Sequence, residues 1–209
     1  MQPEEKSRIF VNRTMAGQLL ANKFLHLKKE KGIVLGIPRG GIPVAYEIAK
    51  ALAWPLGTIW IKKIGHPHNP ELAIGAVSMD DVELNEYAGP IARDYIDEKV
   101  KQIRSAFIRQ QQALPENARN PNVTDQHVLL VDDGVATGST MLTAIRFLRK
   151  KNPARIIIAT PVAPHRVINK LEDMAAEVVV LHQPSYFPGI SAFYDEFPQL
   201  SDEDAAGYF

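Results

Sequence analysis

The chain has 209 residues, 24 lysines plus arginines against 24 aspartates plus glutamates, and no cysteine. A chain of this length buries about 70% of the surface its unfolded form exposes, which suits one domain with a substantial core. The charge balance leaves no global field to draw nucleic acid or an anionic membrane, and the lack of cysteine excludes disulfides, thiolate metal sites and a cysteine nucleophile. Met1 to Arg13 is polar and charged, and no apolar run approaches the roughly 18 residues of a membrane span, so a soluble, cytoplasmic protein is expected.

In chain order, Met15, Leu19, Leu20, Phe24, Leu25 and Leu27 recur at helical spacing and predict a core-packing helix from Thr14 to Glu30, stopped by Gly32. Ile33 to Ile37 reads as a buried strand, followed by the turn Pro38-Arg39-Gly40-Gly41 and a helix with Pro43 in its first turn. Leu56 to Lys62 has strand character. It runs into Lys63-Ile64-Gly65-His66-Pro67-His68-Asn69-Pro70, where the prolines and glycine predict an irregular, mobile loop. Leu72 to Ser78 and Val82 to Asn85 then suggest a short antiparallel pair. A long charged helix follows from Ile91 to Leu114, with a polar linker from Pro115 to Gln126.

The most informative stretch is Val128-Leu129-Leu130-Val131-Asp132-Asp133-Gly134-Val135-Ala136-Thr137-Gly138-Ser139-Thr140. Four aliphatic residues read as a central parallel strand. Unpaired buried carboxylates cost several kcal/mol, so Asp132 and Asp133 belong at the strand's carboxyl end, facing a cleft. The glycines permit tight turns, and Thr137, Ser139 and Thr140 bring hydroxyls and bare amides to the start of a helix from Thr140 to Lys150, an anion site. Two acceptors suit hydroxyls or a metal-bound diol, and the donor loop suits a phosphomonoester. A sugar phosphate satisfies both. The P-loop lysine and the dinucleotide glycine spacing are both missing.

Strands at Arg155 to Thr160 and Glu177 to Leu181, separated by a helix near His165 to Met174, complete an alternating pattern. The expected fold is therefore α/β, a parallel central sheet with helices on both faces and right-handed crossovers, plus a small cap from the chain termini. The tail from His182 to Phe209 is rich in Tyr and Phe and should pack beside the sheet's carboxyl edge. One domain over 1–209 is expected, with 1–13 and 183–209 as the cap.

The strand, Asp132-Asp133 and Ala136-Thr137-Gly138-Ser139-Thr140 together resemble the 5-phosphoribosyl-1-diphosphate (PRPP) binding motif of type I phosphoribosyltransferases. Gly36 to Gly41, Lys63-Ile64-Gly65, Asn69 to Ala76 and Phe197-Pro198-Gln199 resemble a bacterial group of predicted phosphoribosyltransferases of undefined acceptor. The resemblance implies transfer of 5-phosphoribosyl from PRPP to a nitrogenous acceptor, with release of pyrophosphate. Asp132 and Asp133 would hold the ribose diol and, through ribose or water, Mg2+. The loop Ala136, Thr137, Gly138, Ser139 and Thr140 would cradle the 5-phosphate.

A diphosphate needs a second donor site, and Pro38, Arg39, Gly40 and Gly41 answer to the family's pyrophosphate loop, which often contains a non-proline cis peptide. Lys62 and Lys63 precede the segment that closes over the site in the family, and with Arg39 they are the catalytic candidates. Adjacent strand residues face opposite sides, so which lysine points inward is open. Magnesium suits oxygen ligands bridging diphosphate and diol. Family enzymes that use 6-oxopurines carry aspartate where Ala136 stands, which argues against hypoxanthine or guanine as acceptor. The alternative is a non-catalytic PRPP-sensing regulator; no DNA-reading module is evident, and a homodimer is left open.

Overall fold

The computed structural model describes residues 8–119 and 121–209. Five parallel strands form the main sheet: β1 (Gly32–Gly36), β2 (Leu56–Thr58), β6 (His127–Val131), β7 (Arg155–Val162) and β8 (Glu177–His182), in the order β2-β1-β6-β7-β8. Side chains alternate between its faces, as a pleated strand requires. Ile33, Leu35, Val128, Leu130, Ile156 and Ile158 pack under α5 (Ser139–Arg149) and α6 (His165–Glu172). Val34, Leu129, Val131, Ile157 and Ala159 pack under α1 (Arg13–Phe24) and α2 (Gly41–Leu52). Both faces are thus covered by helices, the arrangement expected from the sequence.

A second, antiparallel sheet is built from β3 (Ile61–His66), β4 (Asn69–Ser78) and β5 (Val82–Leu84). The long helix α3 (Arg93–Gln111) buries Ile96, Ile103 and Phe107 with Trp60, Ile64, Ile74 and Val77 of this layer. The stretch Leu56 to Lys62 is therefore two strands. Ile59 still donates to the Gly36 carbonyl, but buried Trp60 donates its indole N–H back to Thr58 Oγ1 at 2.9 Å and the chain leaves the main sheet.

The irregular loop expected at 63–70 is instead a hairpin turning at Pro67-His68. Its ladder passes from Gly65↔Ala73 to His66↔Asn69, so Pro70 falls in a bulge where its missing N–H breaks no pairing. Three smaller corrections apply. The first helix ends at Phe24 and continues as a 3-10 turn over Leu25–Leu27; Gly32 opens β1 and does not cap a helix; and the 115–126 linker contains the short helix α4 (Glu116–Arg119). Arg119 Nε donates to the Leu114 carbonyl and Thr58 Oγ1 to the Ala118 carbonyl, which ties that segment down.

The tail packs against the start of α1 and the carboxyl end of β7. Phe10, Phe193 and Tyr194 share a cluster with Ala16 and Val162, and Phe10 forms a parallel bridge with Tyr194. The last helix, α7 (Asp202–Ala206), begins in a capping box between Ser201 and Asp204. Residues 1–7 of the expected cap lie outside the described residues. No helix among the described residues is long and apolar enough to cross a membrane.

Candidate active site

The sheet order reverses between β1 and β6, and open α/β sheets form a ligand crevice at such a point. The two strands run in register, Gly32↔His127 through Gly36↔Val131, so the turns after them emerge side by side. Ile37 donates to the Val131 carbonyl at 2.9 Å, which carries the pairing to the edge of the site. Beyond it the Pro38–Arg39 peptide is cis. A Cβ on Gly40 would stand 2.0 Å from Asp133 Oδ2, and one on Gly41 2.6 Å from the Val131 carbonyl oxygen. Two glycines are required here by close approach to the acid pair.

Asp132 accepts the backbone N–H of Asp133 on Oδ1 at 2.9 Å, and Asp133 is buried. Asp133 is also paired: Arg13 Nε donates to its Oδ2 at 2.7 Å, with both side chains only 10% exposed. The same guanidinium donates to the Pro198 carbonyl at 2.9 Å and lies 3.7 Å above the Phe197 ring centroid. Tyr194 Oη donates to the Asp133 carbonyl at 2.6 Å. One arginine of α1 thus joins the second acid to the C-terminal tail.

Burial, reinforced by the neighbouring Asp133 charge, pushes the Asp132 carboxyl well above the usual carboxylate range, although one edge of the residue stays open to the cleft. Burial also raises Asp133, and the Arg13 hydrogen bond and charge oppose that rise without cancelling it. Burial raises the Tyr194 phenol, which keeps it a hydrogen-bond donor. The pair therefore holds negative charge reluctantly and is stabilised by groups that neutralise it.

A cavity of about 410 Å³ opens between these acids, Pro38, Arg39 and Gly40 on one side and Phe197, Pro198 and Gln199 on the other. Arg39 Nη1 is 3.9 Å from Asp202 Oδ1 at the start of α7, a half-exposed pair of the kind worth little in water.

The loop after the acids turns at Gly138, whose φ of 80° is the left-handed region that favours glycine. Ser139 begins α5, Thr137 Oγ1 and Ser139 Oγ are 3.1 Å apart, and the side chains of Thr137, Ser139 and Thr140 are exposed beside exposed Ala136. These three residues face a neighbouring cavity of about 560 Å³, shared with Lys62 and Lys63. The structure thus groups the acid pair with the Pro38–Gly41 turn, and the hydroxyl loop with the lysines, in two cavities. Both lysines are exposed and line the second cavity.

Sequence reasoning missed Arg13, Tyr194 and Asp202. Arg13 is 120 residues from Asp133, and nothing local marks it; the one available signal was a tail too aromatic to be a linker. No group of three or more His, Asp or Glu among the described residues could hold a metal by itself. Asp133 Oδ2 and Asp132 Oδ1 already have partners, which leaves one oxygen on each acid. Such a donor set fits Mg2+ held through a ligand's oxygens and waters, and does not make a full protein cage.

Among known proteins, one from Mycobacterium tuberculosis (strain ATCC 25618 / H37Rv), provisionally named a phosphoribosyl transferase, is 32% identical over 212 residues. That match takes in 96% of this chain and 46% of the relative, so the chain spans about half the length of the curated relatives it matches. The crystal structure of a protein from Thermus thermophilus is 35% identical, with a TM-score of 0.82 over 96% of this chain and 97% of that one. A purine phosphoribosyltransferase from Pyrococcus horikoshii Ot3 shares the fold at 18% identity and a TM-score of 0.53, over 92% and 97% of the two chains. With residues 8–185 matching the family described as the phosphoribosyl transferase domain, and with that family's strand-acid-acid-loop-helix element at the switch point of the sheet, the chain belongs to the phosphoribosyl transferase domain family.

Proposed function

We propose that the chain transfers the 5-phosphoribosyl group of PRPP to a nitrogenous acceptor, a nucleobase or related amine, with Mg2+ and release of pyrophosphate. One observation carries the reading: in-register β1 and β6 bring the Pro38–Gly41 turn against Asp132 and Asp133, with glycine where any side chain would strike the acids. A donor turn in contact with a carboxylate pair suits a ligand carrying a diphosphate next to a diol.

In this reading Asp132 and Asp133 accept from the ribose hydroxyls, and Thr137, Ser139, Thr140 and the free amides of α5 hold the 5-phosphate. The amides of the Pro38–Gly41 turn and the Arg39 guanidinium hold the diphosphate. The bond from C1 to the diphosphate oxygen breaks with oxocarbenium character, and the diphosphate leaves with the electron pair. The acceptor nitrogen forms the new bond to C1 from the opposite face and gives up its proton to the departing diphosphate or to solvent water. The protein's share is positioning and charge neutralisation, to which Arg39 and, from the second cavity, Lys62 and Lys63 contribute. Asp132 and Asp133 would hold Mg2+ through the ribose oxygens and water, where it would supply further charge neutralisation for the diphosphate.

Ala136 beside the hydroxyl loop offers no carboxylate to a purine ring nitrogen, which favours acceptors other than 6-oxopurines. We read the chain as one cytoplasmic domain with residues 1–13 and 183–209 as its cap; for the described part of that cap, the Arg13 contacts with Asp133, Phe197 and Pro198 support the reading.

The test is calorimetric binding of PRPP with magnesium, followed by a screen of nucleobases and small amines for pyrophosphate release. PRPP binding that vanishes in Asp132→Asn/Asp133→Asn, with at least one productive acceptor, is the expected result. Failure of the parent to bind PRPP would sink the reading. Tight PRPP binding with no productive acceptor would favour the sensing role.

A further inference from the structure

The cavity beside the hydroxyl loop is larger than one phosphomonoester requires. Its volume of about 560 Å³ lies within the range of small-molecule sites, roughly 300 to 1,000 Å³. One wall is a stripe of α5, Ser139, Leu142, Thr143 and Arg146, spaced as neighbours on one helix face; the other comes from β3, β4 and β5. Arg146 lies seven positions after Ser139, about 10 Å along the helix, so its backbone stands well away from a phosphate at the helix start.

Among the described residues that line this cleft, cations outnumber carboxylates. Lys62, Lys63 and Arg146 line it, and the carboxylate that also lines it, Glu83, is already paired with Lys150 at 2.8 Å. Among the described residues neither Lys62 nor Arg146 makes an ion pair or a side-chain hydrogen bond, and both are exposed. A cation in the last turn of a helix also complements its dipole, but that role does not require the side chain to line a cavity. The hydroxyls of Thr137, Ser139, Thr140 and Thr143 line the same cleft and suit a polar ligand.

We propose that this cleft is a second anion site, taking a small polyphosphate-bearing ligand whose far phosphates are held by Arg146 and Lys62. Several phosphates in a row match cations spread along the helix. The site shares its hydroxyl end and Lys62 with the transferase reading, and Arg146 is the part of it that reading does not use.

The probe is inorganic tripolyphosphate, titrated calorimetrically in an Arg39→Ala background so that the Pro38–Gly41 turn adds little. Arg146→Ala should weaken its binding about tenfold or more, the usual loss for a charged hydrogen-bond partner. Arg146→Lys should recover part of the affinity. With Arg39 intact, Arg146→Ala should leave PRPP affinity unchanged. Asp132→Asn/Asp133→Asn should keep tripolyphosphate while losing PRPP. Absent tripolyphosphate binding, or binding indifferent to Arg146, overturns the proposal. So does parallel loss of PRPP and tripolyphosphate in Arg146→Ala, which would merge the two sites. Arg146-dependent tripolyphosphate binding by a parent that fails to bind PRPP would support the second site and remove the transferase reading.

Discussion

Replacing Arg13 with methionine keeps an unbranched apolar stem and removes the charged guanidinium. Asp133 is then left buried without its 2.7 Å partner. Breaking a buried ion pair from one side typically costs about 3–5 kcal/mol, and the lost contacts with Pro198 and Phe197 add to it. For a chain of this size each kcal/mol moves the melting temperature by about 2–4 °C, so a fall of about 10 °C is expected.

The sign of its pH dependence follows from Asp133. Its folded carboxyl already sits above its ordinary value of 3.8 because of burial, and Arg13 pulls it down. Without Arg13 it rises further. A raised carboxyl contributes stability that is fully present below the unfolded pKa and lost as pH rises through the folded one. Arg13→Met should therefore cost little near the unfolded pKa and increasingly more toward neutral pH. Thermal melts followed by circular dichroism at about pH 5 and about pH 8 make the comparison. Arg13→Met/Asp133→Asn should recover most of the loss at the higher pH. An equal penalty at both pH values, or a double variant no better than the single, refutes the charge argument.

Arg39→Ala should weaken PRPP and pyrophosphate far more than ribose 5-phosphate, because only the first two reach the Pro38–Gly41 turn; competition calorimetry decides, and equal losses would assign Arg39 a general role. Gly40→Ala forces a Cβ to within 2.0 Å of Asp133 Oδ2 and should cost about 1–3 kcal/mol in denaturant titrations while reducing PRPP affinity. An alanine variant as stable and as tight-binding as the parent would show that the turn has room to move. Lys63→Ala, with Lys62→Ala as its matched control, should lower turnover about a hundredfold at little cost in PRPP affinity, the signature of a charge used in the transition state. Full turnover in both variants removes the lysines from the chemistry.

The parts of the site that follow their own strands were legible in sequence. Val128 to Val131 announce a buried strand, and two acids directly after it have few places to go except a crevice. Pro38–Gly41 follows β1 in the same way, and parallel register brings the two together. What escaped was long-range or depended on a bulge. Arg13 and Asp202 reach their partners across the whole fold, so neither carries a local signal. The β3–β4 hairpin looked irregular because Pro70 usually breaks a ladder, and only pairing of Gly65 with Ala73 shows that it is skipped. Which lysine faces inward was posed as a choice between two sides of a strand, yet both border the same wide cavity.

The far end of α5 is fastened to the turn between β4 and β5: Lys150 bonds Asp81 and Glu83, and Lys151 bonds Asp80 at 2.8 Å. That rivet stands beside Ser78, where the 10-residue strand β4, about 33 Å long, ends. The hairpin shares its core with α3, so it would turn as a stiff plate about the rivet. Lys62 and Lys63 pair with Val77 and Ala76, only a rung or two from that pivot. A tilt of about 10° would carry the Pro67-His68 tip by about 5 Å but the lysines by only about 1 Å, from the rise per residue. The plate's leverage thus belongs to its histidine edge, while its lysine root stays close to the rivet. The exposed bonds of the rivet make that pivot something added salt would loosen.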